Sequence, residues 1–382
     1  MKNNYEIAVI GGGPAGSTVS TLLARTGFKV CLIEKKLFPR EVLCGEFLSV
    51  EVSKILKSLN LFDDFLKLNP NPINALSLFF EDNKKVQASI NFQAYALKRS
   101  IFDKFLLDAA IKTGVKVFQP YVVKNIYRQV GNYFLEAFDN NNIINISANT
   151  VIGAYGRTGI LDKKLKRNFV GKHTLLNGLK FHISNNSLID FNINEIRMYL
   201  SNGIYCGINA VNRKETTVCF LENRKSYKGS AKENLIELFF NKYKYSNPVH
   251  DVFRKEIFSL PVYGTGNIFF GRKKIIEDGI YMIGDAARVI APLSGDGIGI
   301  AMESAVLLAE ILKSKRDNKL TKKETEFLYI NKWKSIFRKR LVTSSILQKI
   351  VLNTFTRKLA YNATSSNSTI INSLIKKTRS KQ

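Results

Sequence analysis

Paired cysteines are missing from this chain of 382 residues. Cys31, Cys44, Cys206 and Cys219 are widely spaced with no Cys-x-x-Cys, so neither a zinc site nor a redox-active disulfide motif is written, and a reducing compartment is expected. No metal site is expected. A run of eighteen apolar residues is also missing, because the nearest candidate, Gly297 to Ser314, is broken by Glu303 and Glu310, which excludes a membrane-spanning helix. No internal repeat or low-complexity linker occurs, and the N-terminus enters an apolar strand by Tyr5 without a signal-peptide pattern. Acid is scarce: 31 Asp+Glu stand against 58 Lys+Arg, a formal net charge of +27.

With 45% hydrophobic and 23% charged residues the chain is an ordinary globular one, long enough for two or three domains. The positive excess fits nucleic acid, an acidic membrane surface, phosphate-bearing ligands, or simply a genome rich in Lys and Asn codons. No DNA- or RNA-reading motif accompanies it, so nucleic acid is not an expected partner. The excess is concentrated at the end, where no acidic residue follows Glu326.

The most informative segment comes first. Tyr5 to Ile10 reads as a buried strand, GGGPAG follows at Gly11 to Gly16, Ser17 to Thr26 reads as a helix, and a second strand from Lys29 ends at Glu34. In this order Gly11, Gly13 and Gly16 give the G-x-G-x-x-G spacing, with an acid about twenty positions on, as dinucleotide binding requires. Gly11 permits the turn, Gly13 lets backbone approach a pyrophosphate, and Gly16 lets helix and strand pack. The helix start donates amides to phosphates, and Glu34 accepts from ribose hydroxyls, a role that disfavours a 2′-phosphate. The adenosine diphosphate of FAD or of NAD fits equally at this point.

Short alternating segments between Asn74 and Gln93 predict strands of a different sheet. A helix over Leu97 to Thr113 follows, with Leu97, Ile101, Phe105 and Ala109 on its stripe, then a β-rich stretch from Leu175 to Leu221 and a polar helix over Ser230 to Lys244. A strand over Gly279 to Ile283 ends in Gly284-Asp285-Ala286-Ala287 and leads through APLSGDGIGI to another helix.

These motifs resemble the flavin-dependent superfamily of p-hydroxybenzoate hydroxylase-like monooxygenases, flavin-dependent halogenases and geranylgeranyl reductases. GGGPAG with Glu34, the Arg99-to-Asp103 R-x-x-F-D helix, and GDAARVIAPLSGDGIGIAMES from Gly284 carry the likeness over about residues 1 to 315. The resemblance implies FAD. Its expected contacts are Gly11, Gly13, Pro14, Ala15, Gly16, Glu34, Arg40, Arg99, Gly284, Asp285 at the ribitol, and Gly295, Gly297 and Ile298 at the isoalloxazine edge.

The implied fold is α/β: a Rossmann-like FAD-binding domain of the GR2 type (1-70, 97-170 and 270-315), an inserted β-sheet substrate domain (71-96 and 171-269) and a basic helical region (316-382). Phe38 to Ser49, FPREVLCGEFLS, is most similar to the geranylgeranyl reductase branch, which makes Cys44 and Glu46 the candidate catalytic residues. Cys44 as a small buried hydrophobe and Glu46 as a loop carboxylate are the alternatives. Tyr199, Tyr205, Tyr263 and Pro292 are the candidate substrate-lining residues.

The activity so implied is reduction of a double bond in an apolar isoprenoid-like or polyketide-like substrate by flavin hydride. The alternative is hydroxylation of an aromatic or polyketide substrate through a flavin C4a-hydroperoxide. Tyr155 replaces the acid of an Asp-Gly pair seen in many hydroxylases, which argues against direct NADPH reduction, and the electron donor is NAD(P)H or a reduced carrier protein. The halogenase Trp-x-Trp-x-Ile-Pro signature is absent, the one tryptophan being Trp333. Trp333, Phe337 and Leu341 recur at helical spacing among Lys334, Arg338 and Lys339, which suggests a cytoplasmic protein peripheral on the inner membrane face through an anionic lipid surface. A terminal helix packed on the body with a solvated basic face explains the same pattern.

Overall fold

The computed structural model describes residues 3–81, 84–366 and 368–380. Lys2 and Lys381, two of the cations counted above, lie outside them. Two large sheets, a small one of Phe47–Leu48, Tyr95–Ala96 and Asn71–Pro72, and a set of terminal helices border a large cavity.

The first sheet has a parallel core. Asn3–Ile10 lies between Val30–Ile33 and Ile143–Gly153, with Lys116–Phe118 beyond the former and Ile280–Met282 beyond the latter. Both faces are covered, so Ile7 to Ile10 and Val30 to Ile33 are buried without interruption, the continuous apolar pattern of a parallel sheet. The hairpin Val122–Gln129/Asn132–Phe138 extends it antiparallel.

The second sheet has seven strands in the order Tyr263–Thr265, Leu176–Ser184, Glu215–Asn223, Ile204–Ala210, Glu195–Ser201, Ala75–Phe80, Lys84–Ser89. Its residues alternate between two apolar faces. One face packs Phe79, Phe181, Tyr199 and Val218 against Leu235, Phe239, Tyr243 and Phe253. The segment expected as a polar helix therefore supplies a core layer: Ala231–Ile236 is α-helical with Ser230 and Glu233 as a capping box, and Glu237–Lys242 continues as a π-helix. The other face borders the cavity.

Helix Arg99–Lys112 buries Phe102, Leu106 and Ala110, whereas Ile101 is exposed. The expected stripe is thus rotated, because the helix lies between the glycine-loop helix and the Leu48–Phe65 cluster and is apolar around much of its circumference.

The terminal region is not a separate tail. Helix Lys322–Leu352 packs along Gly297–Asp317, and Trp333, Phe337 and Leu341 join the core of the first sheet. The Tyr329 hydroxyl donates to the Met282 carbonyl at 2.7 Å. The stripe offered above as a membrane face is therefore an internal packing face. Two further helices, Thr354–Ser366 and Ser368–Lys377, fold back over strand Lys84–Ser89. Among the described residues no helix is long and apolar enough to cross a membrane.

Candidate active site

The groove starts at the glycine loop. Gly11 has φ +108°, and a Cβ there would stand 2.5 Å from the Ala154 carbonyl oxygen, so only glycine makes this turn. A Cβ on Gly16 would lie 1.8 Å from the Gly11 oxygen, the close helix-strand contact its position in the motif predicts. Gly13 differs: a Cβ there would meet nothing nearer than an Arg40 nitrogen at 3.6 Å and would project into the groove. Pro14 opens helix Pro14–Arg25 at its first turn, where a missing N–H costs nothing.

Glu34 ends the second strand with its carboxylate turned back to the loop, accepting from Gly12 N at 2.7 Å and Lys36 N at 3.0 Å. Arg40 spans the groove between Glu34 (3.7 Å) and Asp103 (3.5 Å), and its buried Nε has no hydrogen-bond partner. Arg99 holds Asp103 in a fork, Nε to Oδ1 at 2.6 Å and an Nη to Oδ2 at 2.8 Å.

At the far end Gly284 takes φ +58° and its N–H donates to Ser304 Oγ at 3.0 Å. Asp285 follows on the groove wall, and its carbonyl accepts from Lys273 Nζ at 3.0 Å. Burial lowers the Lys273 ammonium to about 8. Pro292 to Gly295 form a tight turn, and helix Gly297–Asp317 starts with Gly297 and Ile298 on the cavity wall. Tyr155 donates to Asp162 Oδ1 at 2.8 Å, and Arg167 bonds both, so the tyrosine at the position of the expected acid brings another acid beside it.

One cavity of about 1050 Å³ is bounded by the glycine loop, Glu34, Arg40, Arg99, Asp285 and the Gly295–Ile298 turn at one side and by the second sheet at the other. Cys44, Gly45 and Glu46 stand where the two sides meet. Gly16 is behind the loop rather than on the wall. The volume matches or exceeds that of an ordinary single-ligand site. The open Gly13 approach, the partnerless Arg40 Nε and the first amides of a long helix are donors and space suited to a dinucleotide flavin, so these residues fit FAD.

Rows of residues across the second sheet form the opposite wall. Phe80, Leu200, Tyr205, Leu221, Gly178 and Thr265 are one row, and Leu78, Met198, Gly207, Cys219 and Tyr263 the next, in which Lys180, between Cys219 and Tyr263, is fully buried and off the wall. Tyr205 and Tyr263 thus stand on the wall with Pro292. Tyr199 does not: it is buried on the other face, stacked on Phe79 at 4.5 Å between centroids. Strand alternation turns Met198 and Leu200 to the cavity in its place. Terminal-helix residues Leu347, Ile350, Val351, Ala360, Ile371 and Ile375 close the roof, which sequence motifs did not reveal.

Gly207 is the one position in the second of these rows without a side chain, and a Cβ there would meet only the Cys219 carbonyl at 3.7 Å. Gly207→Trp is expected to fill this space, leaving flavin content unchanged but weakening binding of long apolar ligands at least about tenfold, the equivalent of about 1.4 kcal/mol. Unaltered ligand titration in the flavinated variant would contradict this placement.

Glu46 is the best-connected side chain of the site. Its backbone has φ +59° and its carboxylate is inaccessible. Oε1 accepts from Lys180 Nζ at 2.8 Å and Arg99 N at 2.9 Å, while Oε2 meets His182 Nε2 at 2.7 Å and the Thr217 hydroxyl. Burial alone would raise its pKa; the hydrogen bond from His182 and the charge of Lys180 override that and hold it at about 2. Lys180 Nζ also reaches Glu41 at 2.5 Å. Glu41, Glu46 and His182 could converge on a cation, but the Lys180 ammonium supplies positive charge at that place. Glu46 is thereby held as an anion that ties the Cys44 loop to the second sheet. Alternation on strand Leu176–Ser184 puts Lys180 and His182 on one face; nothing in the sequence points them at Glu46.

A second buried network fastens the terminal helix to the groove. Arg340 binds Asp296 through Nε at 3.1 Å and a second guanidinium nitrogen, and binds Glu303 at 2.5 Å. Burial pushes the Asp296 carboxyl up to about 7 despite Arg340.

A family model described as FAD binding domain matches residues 4–319. The digeranylgeranylglycerophospholipid reductase of Methanocaldococcus jannaschii is 28% identical over 365 residues, 92% of this chain and 88% of that protein. The 1H-pyrrole-2-carbonyl-[peptidyl-carrier protein] chlorinase of Pseudomonas fluorescens is 23% identical over 354 residues, 84% of this chain and 78% of that protein. Among solved structures, a geranylgeranyl bacteriochlorophyll reductase-like protein of Thermoplasma acidophilum superposes with a TM-score of 0.73 at 21% identity, covering 92% of this chain and 88% of the other.

Proposed function

The chain belongs to the FAD binding domain family and is an FAD-dependent oxidoreductase; from that premise we propose that it reduces a double bond of an apolar isoprenoid-like or polyketide-like substrate. One observation carries the reading: the flavin groove opens into a compartment walled by Leu78, Phe80, Met198 and Leu200 and roofed by apolar terminal-helix residues. Such a lining favours a long hydrocarbon body. The likeness to the archaeal phospholipid reductase, extending over nearly all of both chains, supports it.

In this reading Gly11, Gly13 and the start of helix Pro14–Arg25 hold the pyrophosphate, and Glu34 the ribose. Arg99, Asp285 and the amides at Gly297 and Ile298 hold the ring end, where a helix N-terminus favours negative charge. Bound FAD supplies hydride chemistry at its ring. The sheet and the roof hold the substrate away from water, and Cys44 is placed where groove and compartment meet. The donor is NAD(P)H or a reduced carrier protein. Hydroxylation of an aromatic or polyketide substrate is the second reading, favoured by the same closed roof, since oxygen chemistry also needs water excluded.

The test is anaerobic mixing of the chemically reduced holoprotein with prenyl and aromatic compounds. Reoxidation by a prenyl compound without oxygen, with a saturated product, is expected. Reoxidation only with oxygen, giving a hydroxylated product, would replace the first reading by the second. Cys44→Ser is expected to lower turnover at unchanged flavin content; full turnover in that variant would make Cys44 a packing residue.

A further inference from the structure

The stripe of Trp333, Phe337, Leu341 and Ser344 faces inward, so at 100° per residue the opposite face of helix Lys322–Leu352 presents Arg338, Lys339, Val342, Ile346 and Lys349. All five are exposed. The next helix continues the character with Phe355 and Leu359 one turn apart and Lys358 beside them. Ile346 is 52% exposed, Phe355 71% and Leu359 53%. Apolar side chains this open, in one stretch of chain, mark an interaction surface.

The structure also sorts the terminal cations into two sets. Arg340, Arg357 and Arg379 turn inward to Asp296, Glu81 and Asp296. Lys334, Arg338, Lys339, Lys349 and Lys358 turn outward and make no ion pair among the described residues. With no acid after Glu326, this terminal stretch offers them no partner of its own.

The geometry points to an anionic lipid surface as the partner of this outer face, from Arg338 to Leu359. Cations interleaved with protruding aliphatic and aromatic side chains match a layer of anionic headgroups over acyl chains, each cation near such a leaflet strengthening binding about fivefold. A second copy of the chain would set like charges against each other. Nucleic acid would leave Val342, Ile346 and Leu359 without a partner, since aliphatic side chains are not stacking platforms. The inner side of the same stretch, at Leu347, Ile350, Val351 and Ala360, is the cavity roof. A single helix, about 10 Å across, therefore separates the proposed lipid face from the apolar compartment. The purpose, admission of an apolar substrate from the leaflet, rests on the proposed function; the binding itself does not.

The test is co-sedimentation of the full-length holoprotein with vesicles of phosphatidylcholine alone or mixed with phosphatidylglycerol, without substrate. Binding to the mixed vesicles only is expected, lost at high salt and reduced at least about tenfold by Arg338→Glu/Lys339→Glu, the equivalent of about 1.4 kcal/mol. Phe355→Asp/Leu359→Asp should weaken binding even at low salt. These side chains lie outside the cavity, so flavin content and melting temperature should be unchanged. Equal recovery with both vesicle types, full binding by both variants, displacement of vesicles by RNA, or a dimer that the charge reversal dissociates would each overturn the inference. Vesicle binding is read without turnover, so a failed search for substrate leaves this outcome readable.

Discussion

Gly13→Val is expected to yield a folded protein that purifies without flavin, whereas Gly16→Val should damage the fold itself. Both belong to one motif, but the structure assigns them different surroundings. The Gly13 Cβ would enter open groove, its nearest neighbour 3.6 Å away at the flexible end of Arg40. A valine there costs the free protein little and occupies the approach of the pyrophosphate. At Gly16 the Cβ would lie 1.8 Å from a backbone oxygen and 3.2 Å from the Ala154 Cβ, so strand, loop and helix must all shift. Overpacking of that kind costs about 3 kcal/mol or more. Melting temperature and bound flavin per protein chain separate the two outcomes. A fully flavinated Gly13→Val protein would remove the assignment of this groove to the pyrophosphate.

Glu46→Ala should cost about 3 to 5 kcal/mol of stability, because it leaves the buried Lys180 ammonium with Glu41 alone. The double variant Glu46→Leu/Lys180→Met should recover much of that loss, since an apolar pair has no charge to desolvate. The pH dependence follows from the depressed pKa. Folded Glu46 titrates near 2 against an ordinary 4.5, so its contribution is complete above about pH 4.5 and disappears as pH falls toward 2. That difference corresponds to about 3 kcal/mol. Lys180 is raised above its ordinary 10.5 by Glu46 and Glu41 against the opposing effect of burial, so its own contribution is kept below that pH and lost above it. Urea unfolding from neutral pH down to pH 2 should show a steep acid loss that is flattened in Glu46→Ala. Parallel curves for the two proteins would show that the carboxylate is not what anchors the loop.

The glycine loop and Glu34 were legible in the residues because each is set by local requirements, whereas the Gly284–Asp285 turn was singled out by its resemblance to a flavoprotein motif. Gly11 needs a positive φ, Gly16 needs a missing Cβ, and a continuous apolar run needs cover on both faces. Local rules also gave the alternation of the second sheet but not its direction. Along Glu195–Ser201 Tyr199 shares its face with Glu195, Arg197 and Ser201, and Ile196, Met198 and Leu200 share the other, so alternation separates the two sets; that the second set faces the cavity while Tyr199 packs on Phe79 is decided by what lies against each face. Ile101 is exposed, off the buried face, because a helix with packing partners on several sides carries no single apolar stripe.

Glu46 shows the limit most directly. Its own segment identifies it as a candidate, but its chemistry is set by Lys180, His182 and Thr217, from 134 to 171 positions away. These turn a loop carboxylate into a fixed anion. The terminal helices show the same limit at larger scale: their sequence contains both an apolar stripe and a cationic face, and either one suits a membrane. Only packing decided that Trp333, Phe337 and Leu341 go inward, because the edge of the first sheet offers them a partner that desolvates more apolar surface than an isolated helix can. Periodicity specifies which side chains share a face; which face is covered depends on what the rest of the chain brings against it.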